Sequence, residues 1–506
     1  MKGRLFFDTR RARVTLSNKP IKSLKSIRSS ALISNINDII TSFYGVGILG
    51  IFTFLAFAFS LELEFYTFVV LYTVYVGIFA DDFTPLMPLF IFCYIAPSKS
   101  NNPGMQTDGL FYGSSATYLV TIVTIAVVVL LVRIIFDKEM GLRRLFTQKR
   151  VLLPSMLVLG VSYLLSGILH PQYAEYAKSN LTFASIQFVS VILLYFIFSA
   201  TVNWDYFDFE YIAFIGLVMG FVVSAEVGFI YLTEDIIQNG VIGDRYLIQT
   251  GWGCYNNIGA IISMSIPFAF YFASRKSGSA AFLAVACFLF IVVVFTGSRG
   301  SLLGAIFAFV TSFIYTFIKC ENKREFRIAS FVLFAVLIAG AWVAREKLEG
   351  IFQNIPNIFN SIGGSVTVGD SGRLDYYKNG IQVYLKNPIF GQSFYPMEED
   401  LCSFSVVPEF ISFFPPRWHS TLIQMMASCG TVGILAYLYH RLSTIVLYCK
   451  KCTKNNTYLF FCAGTLVGMS LLDCHFFNGG PVLFYSTVLA VAEFTLEKPK
   501  YLCRYL

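Results

Sequence analysis

The sequence predicts an all-α integral membrane protein with about fourteen transmembrane helices, both termini cytoplasmic, and one large extracytoplasmic loop carrying short helices. Three observations lead there. Hydrophobic residues make up 56% of the chain and charged residues only 13%, more apolar surface than a soluble core can enclose. Apolar runs of span length recur almost throughout. The strongly basic loops all fall on one side when those runs are taken as crossings.

The chain opens with a basic arm, 1–38, holding Lys2, Arg4, Arg10, Arg11, Arg13, Lys19, Lys22, Lys25 and Arg28. It lacks the early apolar core and small-residue cleavage site of a signal peptide, so it reads as a cytoplasmic anchor. Eleven apolar stretches follow within 39–344, at 39–60, 65–80, 82–96, 117–136, 151–169, 181–202, 209–233, 256–273, 279–296, 301–319 and 327–344. The third is the weakest, because Pro85 and Pro88 interrupt it. Residues 345–418 form the long polar insert. Three more stretches, 420–439 with an extension toward 448, 457–473 and 479–495, complete the membrane part 419–495 before a short tail, 496–506.

Orientation follows from Lys and Arg. With the arm inside, the loops holding Lys138, Arg143, Arg144, Lys149 and Arg150, then Arg275 and Lys276, then Lys319, Lys323, Arg324 and Arg327, then Arg441, Lys450, Lys451 and Lys454 are also inside. That pattern accounts for the net charge of +8 with no nucleic-acid partner. No P-loop or Gly-rich dinucleotide turn is present, which argues against ATP-driven chemistry. Cys449 and Cys452 stand as a lone C-x-x-C pair, poor evidence for zinc. Cys254, Cys402 and Cys474 fall outside, where one disulfide is possible.

Few arginines remain on the outer side: Arg245, Arg299, Arg345, Arg373 and Arg417. Arg299 lies in Thr296-Gly297-Ser298-Arg299-Gly300-Ser301, a tight turn in which Ser301 is placed to cap the next helix. An arginine beside a helix N-terminus suits an anion, and it equally suits a side chain snorkelling to the interface. Asn256 and His419 each open another helix running inward, and Thr421 with Gln424 has capping-box spacing. Within the insert, Ser371 can cap a helix with Leu374, Tyr377, Ile381 and Tyr384 on one face, stopping at Pro388. Arg373 lies in its first turn, where only a bound anion makes a cation favourable. His419 is the best placed of the four histidines to act as a general base toward a hydroxyl, although a packed or capping imidazole fits the same position. His440 beside Arg441, and His170, read as ordinary polar residues, while Asp473 and His475 form a possible acid–histidine pair. Glu226 lies inside a span and is a functional candidate by that fact. The Asp81-Asp82 pair faces the cytoplasm.

These segments resemble the O-antigen ligase and O-antigen polymerase superfamily, polytopic glycosyltransferases of the bacterial cell envelope with a C-type glycosyltransferase-like fold. The matches are Gly297-Ser298-Arg299-Gly300 with the Leu302-Leu303-Gly304 that follows, Arg373 through Asn387-Pro388-Ile389-Phe390-Gly391, His419 through Gly430-Thr431-Val432-Gly433, and more loosely Arg245 with Asn256. The resemblance spans about residues 240–440. It implies catalytic Arg299, Arg373 and His419, with Arg245, Asn256, Ser298, Arg417 and Ser420 binding substrate. The arginines would hold the diphosphate of an undecaprenyl-diphosphate-linked oligosaccharide, and His419 would activate the hydroxyl of a glycan or lipid acceptor. No metal or other cofactor is implied, and the expected stereochemistry is inversion. Ser420 departs from the Asn that many members carry after the histidine.

The leading expectation is therefore a transferase of lipid-linked glycan at the outer face of the cytoplasmic membrane, with a surface-polysaccharide polymerase preferred over ligase-type transfer. A flippase for a lipid-linked sugar is the alternative of another class; it predicts cationic residues through the middles of several spans, where this chain has chiefly Glu226. A scaffold without chemistry predicts that Arg299, Arg373 and His419 tolerate alanine.

Overall fold

The computed structural model describes residues 31–95, 115–136, 150–169, 177–234, 236–238, 241–242, 247–250, 253–275, 278–343, 373–394 and 417–495. Arg245, Arg345, Ser371, Cys402, His170, most of the insert, and the arm before residue 31 lie outside them. The helices in order are α1 (Ala31–Ile40), α2 (Phe43–Ala58), α3 (Glu62–Phe79), α4 (Leu86–Ile95), α5 (Ser115–Phe136), α6 (Leu153–Leu169), α7 (Ala177–Thr201), α8 (Phe209–Thr233), α9 (Tyr255–Ala273), α10 (Ser279–Phe295), α11 (Arg299–Lys319), α12 (Lys323–Val343), α13 (Arg373–Lys386), α14 (Thr421–Lys451), α15 (Asn456–Met469) and α16 (Gly479–Phe494). Each apolar stretch read from the sequence lies on one of them. The all-α expectation needs one amendment: two antiparallel hairpins with two-residue strands, Ile237–Gln238 with Val241–Ile242 and Gln249–Thr250 with Gly253–Cys254, precede α9.

Among the described residues six helices are long and apolar enough to cross a membrane, or up to seven if the bent pair α1–α2 counts as one span. The remainder of the expected crossings fall on helices outside that count: α4, α6, α10, α15 and α16 are shorter, with 10 to 17 residues, while α5 and α12 have 22 and 21. At about 1.5 Å rise per residue, α4 and α15, with 10 and 14 residues, cannot alone bridge a hydrocarbon layer of about 30 Å.

The core centres on α9, in which nearly every residue is buried. A helix buried all round must be apolar or small on every face, and α9 is both. It packs against α8, α10, α11 and α15. Gly216 of α8 lies under the Phe268 ring, and Gly259 of α9 lies against Ser301 of α11, so close that an added Cβ would meet the neighbour at 2.4 and 2.6 Å. By contrast α5, α11 and α12 expose Ile135, Phe136, Ile314, Ile318, Phe331 and Ile338, as expected of helices that face lipid.

Helix α14 is broken at Gly430, whose φ of 63° and ψ of −158° lie where essentially only glycine is at ease. The segment after α13 closes the break. Gln392 and Ser393 donate to the Ala427 and Ser428 carbonyls at 2.8 and 3.0 Å, while Thr431 and Val432 donate to the Pro388 and Ile389 carbonyls at 2.8 and 3.1 Å. Thus Asn387-Pro388-Ile389-Phe390-Gly391 takes up the backbone groups a kink orphans, which lipid could not satisfy.

Several expectations are corrected. Arg441 is not in a loop: α14 continues to Lys451, and His440 beside it is fully buried, with its ring nitrogens 3.2 Å from Ser155 Oγ and 3.1 Å from Tyr485 OH. Cys254 and Cys474 are free thiols, so no disulfide joins them. Asp82 is buried and accepts the Thr84 and Asn203 N–H groups, which makes it a loop anchor.

Candidate active site

Three helix N-termini meet: those of α9, α11 and α14. Ser298, not Ser301, is the N-cap of α11, accepting the Ser301 N–H at 3.2 Å, and its hydroxyl donates to Asn256 Oδ1 at 2.7 Å. Ser301 Oγ donates to the Asn256 carbonyl at 3.0 Å. Asn256 Nδ2 then donates to Asp473 Oδ2 at 2.6 Å. Asp473 lies in the turn between α15 and α16, and its carbonyl accepts the Thr421 N–H at 3.2 Å and the Thr421 hydroxyl at 3.2 Å. The capping box expected from Thr421 and Gln424 does not form, because helix α14 starts one residue earlier than that spacing assumed, with Ser420 at the cap. Gln424 instead reaches back to the Trp418 N–H at 3.1 Å, and Ser420 is an N-cap whose side chain makes no cap bond.

His419 stands above this junction. Its φ of +50° is left-handed, a conformation that costs a non-glycine residue of order 1–3 kcal/mol and is held by its surroundings. Those surroundings are visible: Tyr377 OH donates to the His419 carbonyl at 3.1 Å, and the Tyr376 ring lies 5.1 Å from the imidazole. His419 Nδ1 lies 3.8 Å from Asp473 Oδ1, and the His419 side chain remains 30% exposed. The imidazole can therefore face an acid on one side and a ligand on the other.

Helix α13 brings Arg373 to the same place. It docks on α14 through Val383, Tyr376, Trp418, Ile423 and Ala427, with Gly380 so close to Ile423 that a Cβ there would meet it at 2.4 Å. Arg373 is half-buried and its Nε is buried without a hydrogen bond. Arg417 donates from Nη1 to the Phe477 carbonyl at 3.1 Å and lies over the Phe183 ring at 5.7 Å, so one of its donors is already in structural use. Arg299, half-buried, is the first residue of α11.

The charges are felt locally. Burial acts to raise the Asp473 carboxyl, but His419, His475 and the Cys474 N–H outweigh it and hold the group well below its ordinary value of 3.8. The neighbours of this buried carboxyl thus favour its charged form. His475 is fully buried with neither ring nitrogen hydrogen-bonded; the expected Asp473–His475 pair is replaced by Asp473 facing His419 and Asn256. Burial first, then Arg373 and Arg417, push His475 below 6.5 against the pull of Asp473. The unfolded chain takes up a proton there more readily than the folded chain, so His475 lowers stability as pH falls below about 6.5. The thermal midpoint of the purified protein should drop between about pH 6.5 and pH 5, and His475→Gln should drop less over that window.

In the sequence Asp473 stands out only as a neighbour of His475. Its one sequence signal is an acid in a short apolar turn, and nothing local indicates that Asn256 and His419 converge on it. An open groove of about 620 Å³ between α10 and α12, lined by Ala280, Ile328, Val332 and Val336 with Arg324 and Glu325, lies apart from this cluster and carries no nucleophile or imidazole.

Fold and site together define a multi-pass helical membrane protein with an acid–imidazole pair and arginines gathered at one junction of helix ends. Residues 259–438 match the family model described as O-antigen ligase, in agreement with the superfamily expected from the motifs. The match supports an O-antigen ligase-type or related membrane glycosyl-transfer function. It covers α9 from Gly259 onward, α10 to α13 and part of α14; Asp473, and Asn256 in the first turn of α9, lie outside it. No curated protein matches the chain.

Proposed function

We propose that this protein transfers a polyprenyl-diphosphate-linked glycan, undecaprenyl diphosphate being the expected carrier, to a hydroxyl acceptor at the outer face of the cytoplasmic membrane. The observation that carries the reading is the half-exposed His419 held between Asp473 and Tyr377, beside Arg373 and the α11 turn. In this reading the His419 Nδ1–H faces Asp473, leaving Nε2 to take the proton from the acceptor hydroxyl. That oxygen attacks the anomeric carbon, the bond from that carbon to the diphosphate oxygen breaks, and the configuration inverts. Arg299 and Arg373, with Arg245 and Arg417, neutralise the departing diphosphate, so the transfer needs no divalent cation. Asn256, Ser298 and Ser420 line the approach. About fourteen crossings with both termini inside would put these residues outside.

Polymerisation of a surface polysaccharide is preferred, with ligase-type transfer to a different acceptor as the second outcome of the same experiment. The full chain is reconstituted with a polyprenyl-diphosphate oligosaccharide. Longer glycans mark a polymerase, and product on an added lipid acceptor marks a ligase. Arg299→Ala and Arg373→Ala should each slow turnover by about 100-fold, the usual cost of removing a donor to developing charge. Full turnover in either variant would sink the mechanism, and donor moving across the bilayer unreacted would favour a flippase.

A further inference from the structure

A costly side chain that the proposed chemistry does not use is Arg441, in α14. Its guanidinium is boxed by three rings, at 4.6 Å from the Tyr437 centroid, 4.1 Å from Phe476 and 5.3 Å from Tyr485. Nη1 donates to Tyr485 OH at 2.9 Å, while Nε and Nη2 are buried without a hydrogen bond. No carboxylate pairs with it among the described residues. A cation within a span is expensive, and two unpaired donors add to the cost. An apolar residue would fill the same box without either penalty, so packing alone does not account for an arginine.

The shortest of its ring contacts indicates what the charge does. Phe476 is the middle of the one-turn 3-10 helix His475–Phe477, three residues from Asp473. The turn is stiff: Phe477 N–H donates to the Cys474 carbonyl at 2.9 Å, and Cys474 N–H donates to Asp473 Oδ1 at 2.7 Å. Displacing Phe476 therefore displaces the Asp473 carboxylate. The box itself is braced from behind, since Tyr485 OH also meets His440 Nε2 at 3.1 Å and His440 Nδ1 meets Ser155 Oγ at 3.2 Å. A cation over a ring is attracted more strongly once desolvated, which suits a clamp inside the bundle.

We propose that Arg441 is a positioning residue: from within the bundle its guanidinium clamps Phe476 and thereby holds Asp473 against His419. The inference rests on the transfer reaction proposed above for its kinetic part. It predicts a role at the site for a residue more than twenty positions down the helix from His419 (419 against 441).

The test uses the full chain with Arg441→Gln, Arg441→Lys, Asp473→Asn and the double variant Arg441→Gln/Asp473→Asn. Arg441→Gln should lower kcat about tenfold or more with KM little changed, as expected of a catalytic group moved by about an ångström. Arg441→Lys keeps a cation over the ring and should recover most of that loss. The double variant should be no slower than Asp473→Asn alone, because coupled residues are not additive. A second readout needs no turnover. Cys474 is buried, and burial with the Asp473 charge pushes its thiol up to about 12, so it should resist N-ethylmaleimide in the wild type and react in Arg441→Gln, read by peptide mass spectrometry. Wild-type turnover in Arg441→Gln with Cys474 still protected overturns the clamp, and so does full additivity in the double variant. If the wild-type protein transfers no glycan, the function proposed above fails, and Cys474 reactivity alone decides the clamp.

Discussion

His419→Ala is expected to lower transfer by about 10²- to 10⁴-fold, the range for loss of a positioned general base. Three contacts position the imidazole. Tyr377 fixes the backbone of a residue held at φ +50°, Tyr376 flanks the ring at 5.1 Å, and Asp473 lies 3.8 Å from Nδ1. That separation is ion-pair distance, longer than a hydrogen bond, and such contacts commonly tighten when a reacting complex forms. Asp473→Asn keeps the shape, leaves one acceptor oxygen for the Asn256 and Cys474 donors, and removes the charge that stabilises an imidazolium. Its loss should appear in kcat, with KM retained. Purified variants assayed on the same reconstituted donor decide the matter, and a His419→Ala chain with undiminished kcat would reduce the imidazole to a packing residue.

Gly430→Ala should destabilise the protein by several kcal/mol, and Gly391→Ala by a similar amount. Gly430 and Gly391 have φ values of +63° and +71°, and a Cβ on either would sit about 2.5 Å from the backbone of the other's segment: Ser428 C for Gly391, and the Gly391 N and Ile389 O for Gly430. A left-handed non-glycine residue costs of order 1–3 kcal/mol by itself. The clash adds the loss of the paired bonds between 388–393 and 427–432, each worth about 0.5–1.5 kcal/mol net. Nothing flexible is available to give way, since both partners are main chain. The unfolding midpoint in detergent measures the effect; a midpoint equal to wild type for Gly430→Ala would mean that the break is not the rigid joint described here. Activity should fall with stability, because α13 reaches His419 through the same docking surface.

Much of this was legible in the residues. Every apolar stretch lies on a helix, because an apolar run in lipid can satisfy its backbone within itself only as a helix. Gly297-Ser298-Arg299 and Asn387-Pro388-Ile389-Phe390-Gly391 read as turns in the sequence and are turns in the structure, glycine opening the positive-φ region and proline ending the helix before it. The positions that misled are those at which a local rule met a tertiary partner. Ser301 and Thr421 looked like caps, but Ser298 and Ser420 occupy those positions, and Gln424 is drawn off by Trp418. Arg441 looked like a loop cation, since charge density in sequence cannot reveal a box built from Tyr437, Phe476 and Tyr485.

By itself the sequence determined the membrane character, the order of the helices, the break signals, and the arginines and histidine worth testing. All of these depend on hydropathy, backbone freedom and charge within a few residues. Only the tertiary structure decided that Asn256 and Asp473, 217 residues apart, share a hydrogen bond, that Asp473 faces His419 and not His475, and that α13 seals a break in α14. Those pairings arise from which helix ends are packed together. A buried carboxylate is tolerable only where donors from other helices converge on it, and a broken membrane helix only where another segment supplies its missing partners.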